Sequence, residues 1–230
     1  MDMKSKLKEY LPRSTLFPFY GTLLLYFFLY QPFLGYPPVT IGAAFFKVLP
    51  VWSLAYFVRS TVKGNINTLV DYDYKKFIIF GLLTSSLGDA FLVARTTLFI
   101  PGMLSFAVAH LFYILAFEPS SRPSRLRTLY ILGAVAIGIT LLESIDNVIM
   151  SALVMLYLTL IFIMSWRATN TYERLQTFPA FAACVGSLLF LMSDLIIAVD
   201  KWKFSVPFAE FFVMILYYSA QFFLALSTDE

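Results

Sequence analysis

Eight apolar runs, each long enough or nearly long enough to cross a lipid bilayer, occupy most of this chain. One of them, residues 181–199, reads FAACVGSLLFLMSDLIIAV. About 20 consecutive apolar residues span the hydrocarbon core as a helix. Backbone polar groups in lipid must pair internally, so long and continuously apolar runs are helices rather than strands. The runs fall at 16–31, 39–58, 77–95, 98–117, 128–142, 147–166, 178–199 and 207–226, with the first and fifth the shortest. Composition agrees, since 60% of residues are hydrophobic and only 13% charged. A soluble domain is nearer half apolar and a quarter charged. The expected fold class is therefore all-α: a polytopic membrane protein, folded as an eight-helix transmembrane bundle in a single transmembrane domain over residues 1–230. The longest polar stretch, 59–76, reads as a loop. The basic N-terminal segment MDMKSKLKEYLPR precedes a run that ends in YQPFLGYPP without a small-residue cleavage pattern. That run reads as a retained first span, not a signal peptide.

The basic residues orient the bundle. Lys4, Lys6, Lys8, Arg13, Arg59, Lys63, Lys75, Lys76, Arg122, Arg125, Arg127, Arg167 and Arg174 share one face of an eight-span arrangement. Only Arg95, Lys201 and Lys203 lie on the other, and Lys47 falls inside a span. The positive-inside rule then puts both termini in the cytoplasm. The basic loops are accounted for by topology and anionic lipid, so nucleic acid is not an expected partner. The pairs Asp89 and Asp194, Phe106 and Phe211, and Tyr113 and Tyr218 share a spacing of 105 residues. That spacing fits a 4+4 parallel repeat, although the abundance of aromatics leaves coincidence open.

An ionisable group at bilayer depth costs about 2.5–3.5 kcal/mol on insertion scales and marks a functional-site hypothesis. Lys47, Asp89, His110, Asp194 and Glu210 are such groups. At a rise of 1.5 Å per residue, Asp89 and Asp194 each lie about 9 Å below the non-cytoplasmic face and Lys47 about 12 Å. His110 lies roughly 20 Å down, and Tyr217, Tyr218 and Gln221 about 15–21 Å. This depth pattern points to a polar pocket that opens on the non-cytoplasmic side and reaches past the midplane. Plainer readings compete. Lys47 can serve as the structural counter-ion of an aspartate. His110 can be an interhelical hydrogen-bonding group, and Tyr218 with Gln221, one turn apart, can be helix–helix glue. Glu210, three residues beyond Pro207, reads as interfacial.

Six segments, in order, carry a resemblance: KVLP (47–50), GDAFLVA (88–94), FAVAHLFY (106–113), SWRA (165–168), SDLIIAVDKWKFSVP (193–207) and YYSAQFFLALS (217–227). Together they resemble the YhhN family, whose animal members are lysoplasmalogenase-like transmembrane proteins. The loops 59–76 and 119–127 carry no matching motif. The resemblance implies a multi-pass hydrolase of the endoplasmic reticulum membrane, with no metal or other cofactor. The implied reaction cleaves the vinyl ether bond of a lysoplasmalogen to a fatty aldehyde and glycerophosphoethanolamine or glycerophosphocholine. It implies Lys47, Asp89, His110, Asp194, Tyr218 and Gln221 as site residues, and all six are present. A lysophospholipid substrate and membrane lipid are the expected partners, and a homodimer is left open.

The residues suit that chemistry. A vinyl ether is cleaved by protonating carbon, which leaves an oxocarbenium ion that water attacks; the resulting hemiacetal collapses. The step needs one neutral carboxylic acid, which burial in an apolar site favours. It also needs a second carboxylate to stabilise the cation and take a proton from water. Glycoside hydrolysis divides the same roles between two acids. Asp89 and Asp194 are the expected catalytic pair, with the acid and base roles unassigned. Lys47 would hold one of them ionised or bind the substrate phosphate. His110, Tyr218 and Gln221 would position water and the glycerol hydroxyl.

Other functions fit less of the sequence. An intramembrane aspartyl protease would match Gly88-Asp89, but Ser86 stands two before Gly88, no Tyr-Asp pair lies in a span, and no Pro-Ala-Leu motif is present. A zinc-dependent lipid hydrolase usually needs several histidines, and the chain has one. A lipid transporter or sensor without catalytic activity could also use paired acids and a lysine. The single cysteine, Cys184, reads as a small residue in a helix interface.

Overall fold

The computed structural model describes residues 13–61, 69–117 and 126–229. Among these residues the chain forms eight α-helices and no strand. They are α1 (Phe17–Tyr30), α2 (Ile41–Ser60), α3 (Leu69–Val93), α4 (Phe99–Ala116), α5 (Arg127–Leu142), α6 (Val148–Leu175), α7 (Phe178–Trp202) and α8 (Ala209–Leu226). Each apolar run has become a helix. Six of them, all but α1 and α5, are long and apolar enough to cross a membrane. With 14 and 16 residues, α1 and α5 reach only about 21 and 24 Å, against a hydrocarbon core of about 30 Å. The chain is a multi-pass membrane protein.

Local chemistry sets several helix ends. Thr40, Asn147 and Thr177 cap α2, α6 and α7 by accepting the backbone N–H of Ala43, Met150 and Ala180, which satisfies donors that a helix start leaves unpaired. Gln31 and Gln176 close α1 and α6 in the left-handed conformation. Two boundaries differ from the sequence expectation. Helix α3 begins at Leu69 and α6 continues to Leu175, so part of the stretch 59–76 is helical rather than loop. Hydropathy marks where lipid ends, whereas these helices carry on into polar sequence free of Gly and Pro.

The six long helices close into a ring. In order around it, α2 packs on α3, α3 on α4, α4 on α6, α6 on α7, α7 on α8, and α8 back on α2. Helix α1 lies outside on α2, and α5 outside on α6. Their outer faces expose Leu24, Phe28, Leu129 and Leu132, as expected of lipid-facing surface. Small residues let the ring helices approach closely. A Cβ at Gly88 of α3 would stand 2.6 Å from the Phe106 ring of α4, and one at Gly186 of α7 would stand 2.9 Å from the Ala220 carbonyl of α8.

The alternation of helices gathers the turns after α1, α3, α5 and α7 on one face. There Tyr36, Arg95 and Asp200 meet: the Tyr36 hydroxyl donates to Asp200 at 2.9 Å, and the Arg95 guanidinium lies 3.5 Å from Asp200. Lys203 pairs with Glu143 at 3.7 Å on the same face. The opposite face brings the C-terminal residues to the start of α3, where Tyr74 and Ser227 hydroxyls bond at 2.7 Å. Arg167 there donates to the carbonyls of Ile114 and Phe117 at the end of α4. Of the basic residues in the charge count, Lys4, Lys6, Lys8, Lys63, Arg122 and Arg125 lie outside the described residues.

Candidate active site

Each of the six ring helices contributes a polar side chain to the interior. On α7, Asp194 accepts a hydrogen bond on Oδ2 from the Tyr157 hydroxyl of α6 at 2.5 Å. His110 of α4, wholly buried, places Nε2 3.0 Å from the Tyr157 hydroxyl and 3.5 Å from the same Asp194 oxygen. Because the phenolic hydrogen is committed to Asp194, Nε2 is the donor towards Tyr157. His110 Nδ1 is buried with no hydrogen-bond partner among the described residues.

Asp89 of α3 sits in a matching position and is buried. Its Oδ2 accepts a hydrogen bond from the Tyr217 hydroxyl of α8. Gly88 precedes it, and the bare backbone there admits the Phe106 ring that packs edge-on against Tyr217. Phe190 stands between the two carboxyl groups' partners, with ring centroids 5.4 Å from Tyr217 and 4.9 Å from His110. Tilted aromatic pairs of this kind fix ring orientation as well as burying area.

Lys47 of α2 pairs with Glu210 of α8 at 3.2 Å, with both side chains almost free of solvent contact. Pro50 lies inside α2; it has no N–H to return and its ring crowds the preceding turn. The Lys47 carbonyl accepts a hydrogen bond from the Tyr218 hydroxyl at 2.8 Å. Glu210 falls in the first turn of α8, after Phe208 in the left-handed conformation, where the helix dipole favours an anion.

Lys47, Asp89, Asp194, Glu210 and Tyr217 line one cavity, whose rim carries Tyr36, Arg95, Asp200 and Lys201 on the turn face. A second cavity adjoins it, walled by apolar residues such as Leu141, Val154, Leu158 and Leu191. Leu92, Phe99, Phe106, Asp194 and Ile197 line both. A polar chamber and an apolar chamber thus meet beside Asp194. Their linings together suit an amphiphile with a polar head and a single chain. Among the described residues no three His, Cys, Asp or Glu side chains gather closely enough to hold a metal ion.

Of the residues singled out from the sequence, Lys47, Asp89 and Asp194 share the polar cavity. His110, Tyr218 and Gln221 stand behind it. His110 touches Asp194 directly and through Tyr157; Tyr218 holds the Lys47 carbonyl; Gln221 accepts from the Tyr113 hydroxyl at 2.7 Å. Glu210 departs from its expected interfacial placement: the left-handed turn at Phe208 starts α8 immediately before it, so it enters the ring interior beside Lys47. Lys47 is accordingly paired with Glu210 and not with either aspartate. Tyr157 and Tyr217 bond the aspartates, and the sequence marks neither as a site residue. Neither stood out among 14 tyrosines.

Residues 42–228 match the YhhN family. The chain is similar to lysoplasmalogenase TMEM86A of Bos taurus, 34% identical over 94% of this chain and 88% of the relative, and to the Homo sapiens protein of the same name at 33% over the same shares. It is also similar to lysoplasmalogenase TMEM86B of Sus scrofa, 32% identical over 97% of this chain and 95% of that protein. No solved structure matches.

Proposed function

Because the chain belongs to the YhhN family, and because relatives named lysoplasmalogenase align along nearly its whole length, we propose that it is a lysoplasmalogenase. In this reading it hydrolyses the vinyl ether bond of a 1-alkenyl lysophospholipid to a fatty aldehyde and a glycerophospho-alcohol. The observation that carries the reading is the pair Asp89 and Asp194, on different helices and facing one cavity that continues into an apolar chamber. The alkenyl chain would lie in the apolar chamber, the glycerophospho group in the polar one, and the vinyl ether between them.

The chemistry follows from that placement. One carboxylic acid gives its proton to the alkene carbon next to the chain, and the electron pair of the double bond forms the new C–H bond. The positive charge that develops on the ether carbon and oxygen is stabilised by the second carboxylate, which also takes a proton from the attacking water. The hemiacetal then passes its hydroxyl proton to the first carboxylate while the second carboxylic acid protonates the glycerol oxygen. The bond to that oxygen breaks, alcohol and aldehyde depart, and both carboxyl groups return to their starting states. Tyr157 and Tyr217 hold the two carboxyl groups in place, with His110 behind Tyr157. The Lys47–Glu210 pair is electrically balanced and fixes α2 against α8.

The membrane arrangement belongs to the same proposal. The chain is read as one transmembrane domain, with both termini in the cytoplasm and residence in the endoplasmic reticulum membrane. A 4+4 repeat is supported by the outlying helices, since α1 rests on α2 as α5 rests on α6. Asp89 and Asp194 fall on α3 and α7, and Tyr113 and Tyr218 on α4 and α8, the equivalent helices of the two halves. The same symmetry favours a second reading, a lipid transporter, which would move lysophospholipid without changing it.

The test is to incubate purified protein with a 1-alkenyl lysophospholipid and with its saturated 1-alkyl analogue. Aldehyde from the first alone supports the hydrolase. Unchanged lipid in the detergent assay, together with its uptake in proteoliposomes, supports the transporter.

A further inference from the structure

The cations at the rim of the polar cavity have no task in the reaction as described. Arg95 is shared with Asp200 at 3.5 Å, and its guanidinium lies over the Tyr36 ring at 3.5 Å. Lys201 has no carboxylate partner among the described residues. Its Nζ instead lies 4.1 Å from the Phe99 ring centroid and 5.8 Å from that of Trp202. Deeper in the cavity Lys47 is already balanced by Glu210. The rim therefore holds two cations against the single carboxylate of Asp200, at the mouth of a cavity whose deeper acids are Asp89, Asp194 and Glu210.

The spacing is as informative as the charge. Asp194, Ile197 and Lys201 recur at helical intervals along α7 and all line the polar cavity. Asp194 and Lys201 are seven residues apart, which is two turns, or about 10 Å, along one face of the helix. The lysine side chain can fold back over part of that distance. The remaining gap suits a glycerol spacer, with the reacting ether at one end and an anion at the other.

We propose that Lys201 and Arg95 form the subsite for the phosphodiester of a single-chain ether phospholipid, and that the phosphate sets where the chain's first carbons stop relative to Asp194. This assignment rests on the reading of the chain as a lysoplasmalogenase. It replaces Lys47, the phosphate ligand considered from the sequence, by two residues at the rim. Arg95 supplies planar paired donors and Lys201 a mobile point charge, a combination that grips phosphate without demanding one head-group alcohol. Phe99 and Trp202 hold the ammonium of Lys201 near the rim between turnovers.

The experiment measures binding apart from chemistry. Three probes are titrated against the purified protein: a saturated 1-alkyl lysophospholipid, which cannot be hydrolysed by alkene protonation; the matching 1-alkylglycerol, which lacks phosphate; and inorganic phosphate. The intact protein should bind the phospholipid at least about tenfold more tightly than the alkylglycerol, the size expected of a charge-assisted contact. Lys201→Gln should shrink that ratio to about threefold or less, Lys201→Arg should keep most of it, and Arg95→Gln, the second variant, should shrink it too. A ratio unchanged in Lys201→Gln and Arg95→Gln overturns the subsite. So does inorganic phosphate that displaces the alkylglycerol or binds as tightly as the lipid, since the site would then be one for free anion. A phosphate-dependent ratio lost in the variants, in a protein that turns over no alkenyl lipid, would uphold the subsite and refute the proposed reaction. Turnover with an unaltered ratio would do the reverse.

Discussion

Lys47 and Glu210 stand 3.2 Å apart inside the helix ring, each close to fully buried. Removing one partner of such a pair leaves a buried charge uncompensated and costs about 3–5 kcal/mol, whereas replacing both with apolar residues of similar size is often neutral. Lys47→Met and Glu210→Gln should each lower the thermal unfolding temperature and the folded yield. The double variant Lys47→Met/Glu210→Leu should recover most of the loss. Size-exclusion yield and thermal unfolding of the four proteins check this; a double variant worse than both singles would show that the pair acts through something other than mutual charge compensation.

Asp89→Asn and Asp194→Asn each remove a carboxyl group while keeping its shape. Either substitution should lower turnover of a 1-alkenyl lysophospholipid by at least about 100-fold, the usual range for general acid–base groups, with the elution profile of the folded protein unchanged. Full activity in either variant would remove that residue from the chemistry.

Tyr157 donates to Asp194, and Tyr217 to Asp89. Losing a hydrogen bond to a carboxyl group costs about 1.5–3 kcal/mol when the group is charged, and about 1.4 kcal/mol is tenfold in rate. Tyr157→Phe and Tyr217→Phe should therefore lower kcat about tenfold or more and move KM little. A lowered unfolding temperature with kcat intact would mean that the tyrosines serve packing alone.

The α3–α4 contact makes a prediction about stability alone. A methyl group at Gly81 would meet the buried Tyr113 ring at 2.2 Å, and one at Gly88 would meet Phe106 at 2.6 Å. The Tyr113 ring is fully buried and its hydroxyl is tied to Gln221. Gly81→Ala and Gly88→Ala should each destabilise by about 1–3 kcal/mol, the range for overpacking. Thermal unfolding in detergent measures it.

Much of this architecture could be read from the chain because a bilayer imposes a simple rule. Apolar runs of spanning length must be helices, and all eight runs became helices, although α3 begins and α6 ends well outside the apolar sequence. The same rule exposed Lys47, Asp89 and Asp194, since a charged group amid apolar residues needs a reason to be there, and equal depth brought them to one level. Where the rule is silent, the reading stopped. Tyr157 and Tyr217 are as acceptable in an apolar helix as any other tyrosine, and only the ring closure of α6 and α8 against α4, α7 and α3 shows what they hold. Hydropathy places Glu210 at the interface because it cannot see the left-handed residue at Phe208, after which α8 starts at Ala209. The exclusion of α1 and α5 from the ring depends on which helices pack together, a fact of tertiary contact that periodicity does not carry.

The central claim is that the protein protonates a carbon of its lipid and does not cut an ordinary ether or ester. Running the reaction on a 1-alkenyl lysophospholipid in heavy water, with the aldehyde trapped as it forms and analysed by mass spectrometry, tests that claim directly. The account predicts one solvent deuterium on the carbon next to the aldehyde group. An aldehyde formed without solvent deuterium on that carbon would contradict it.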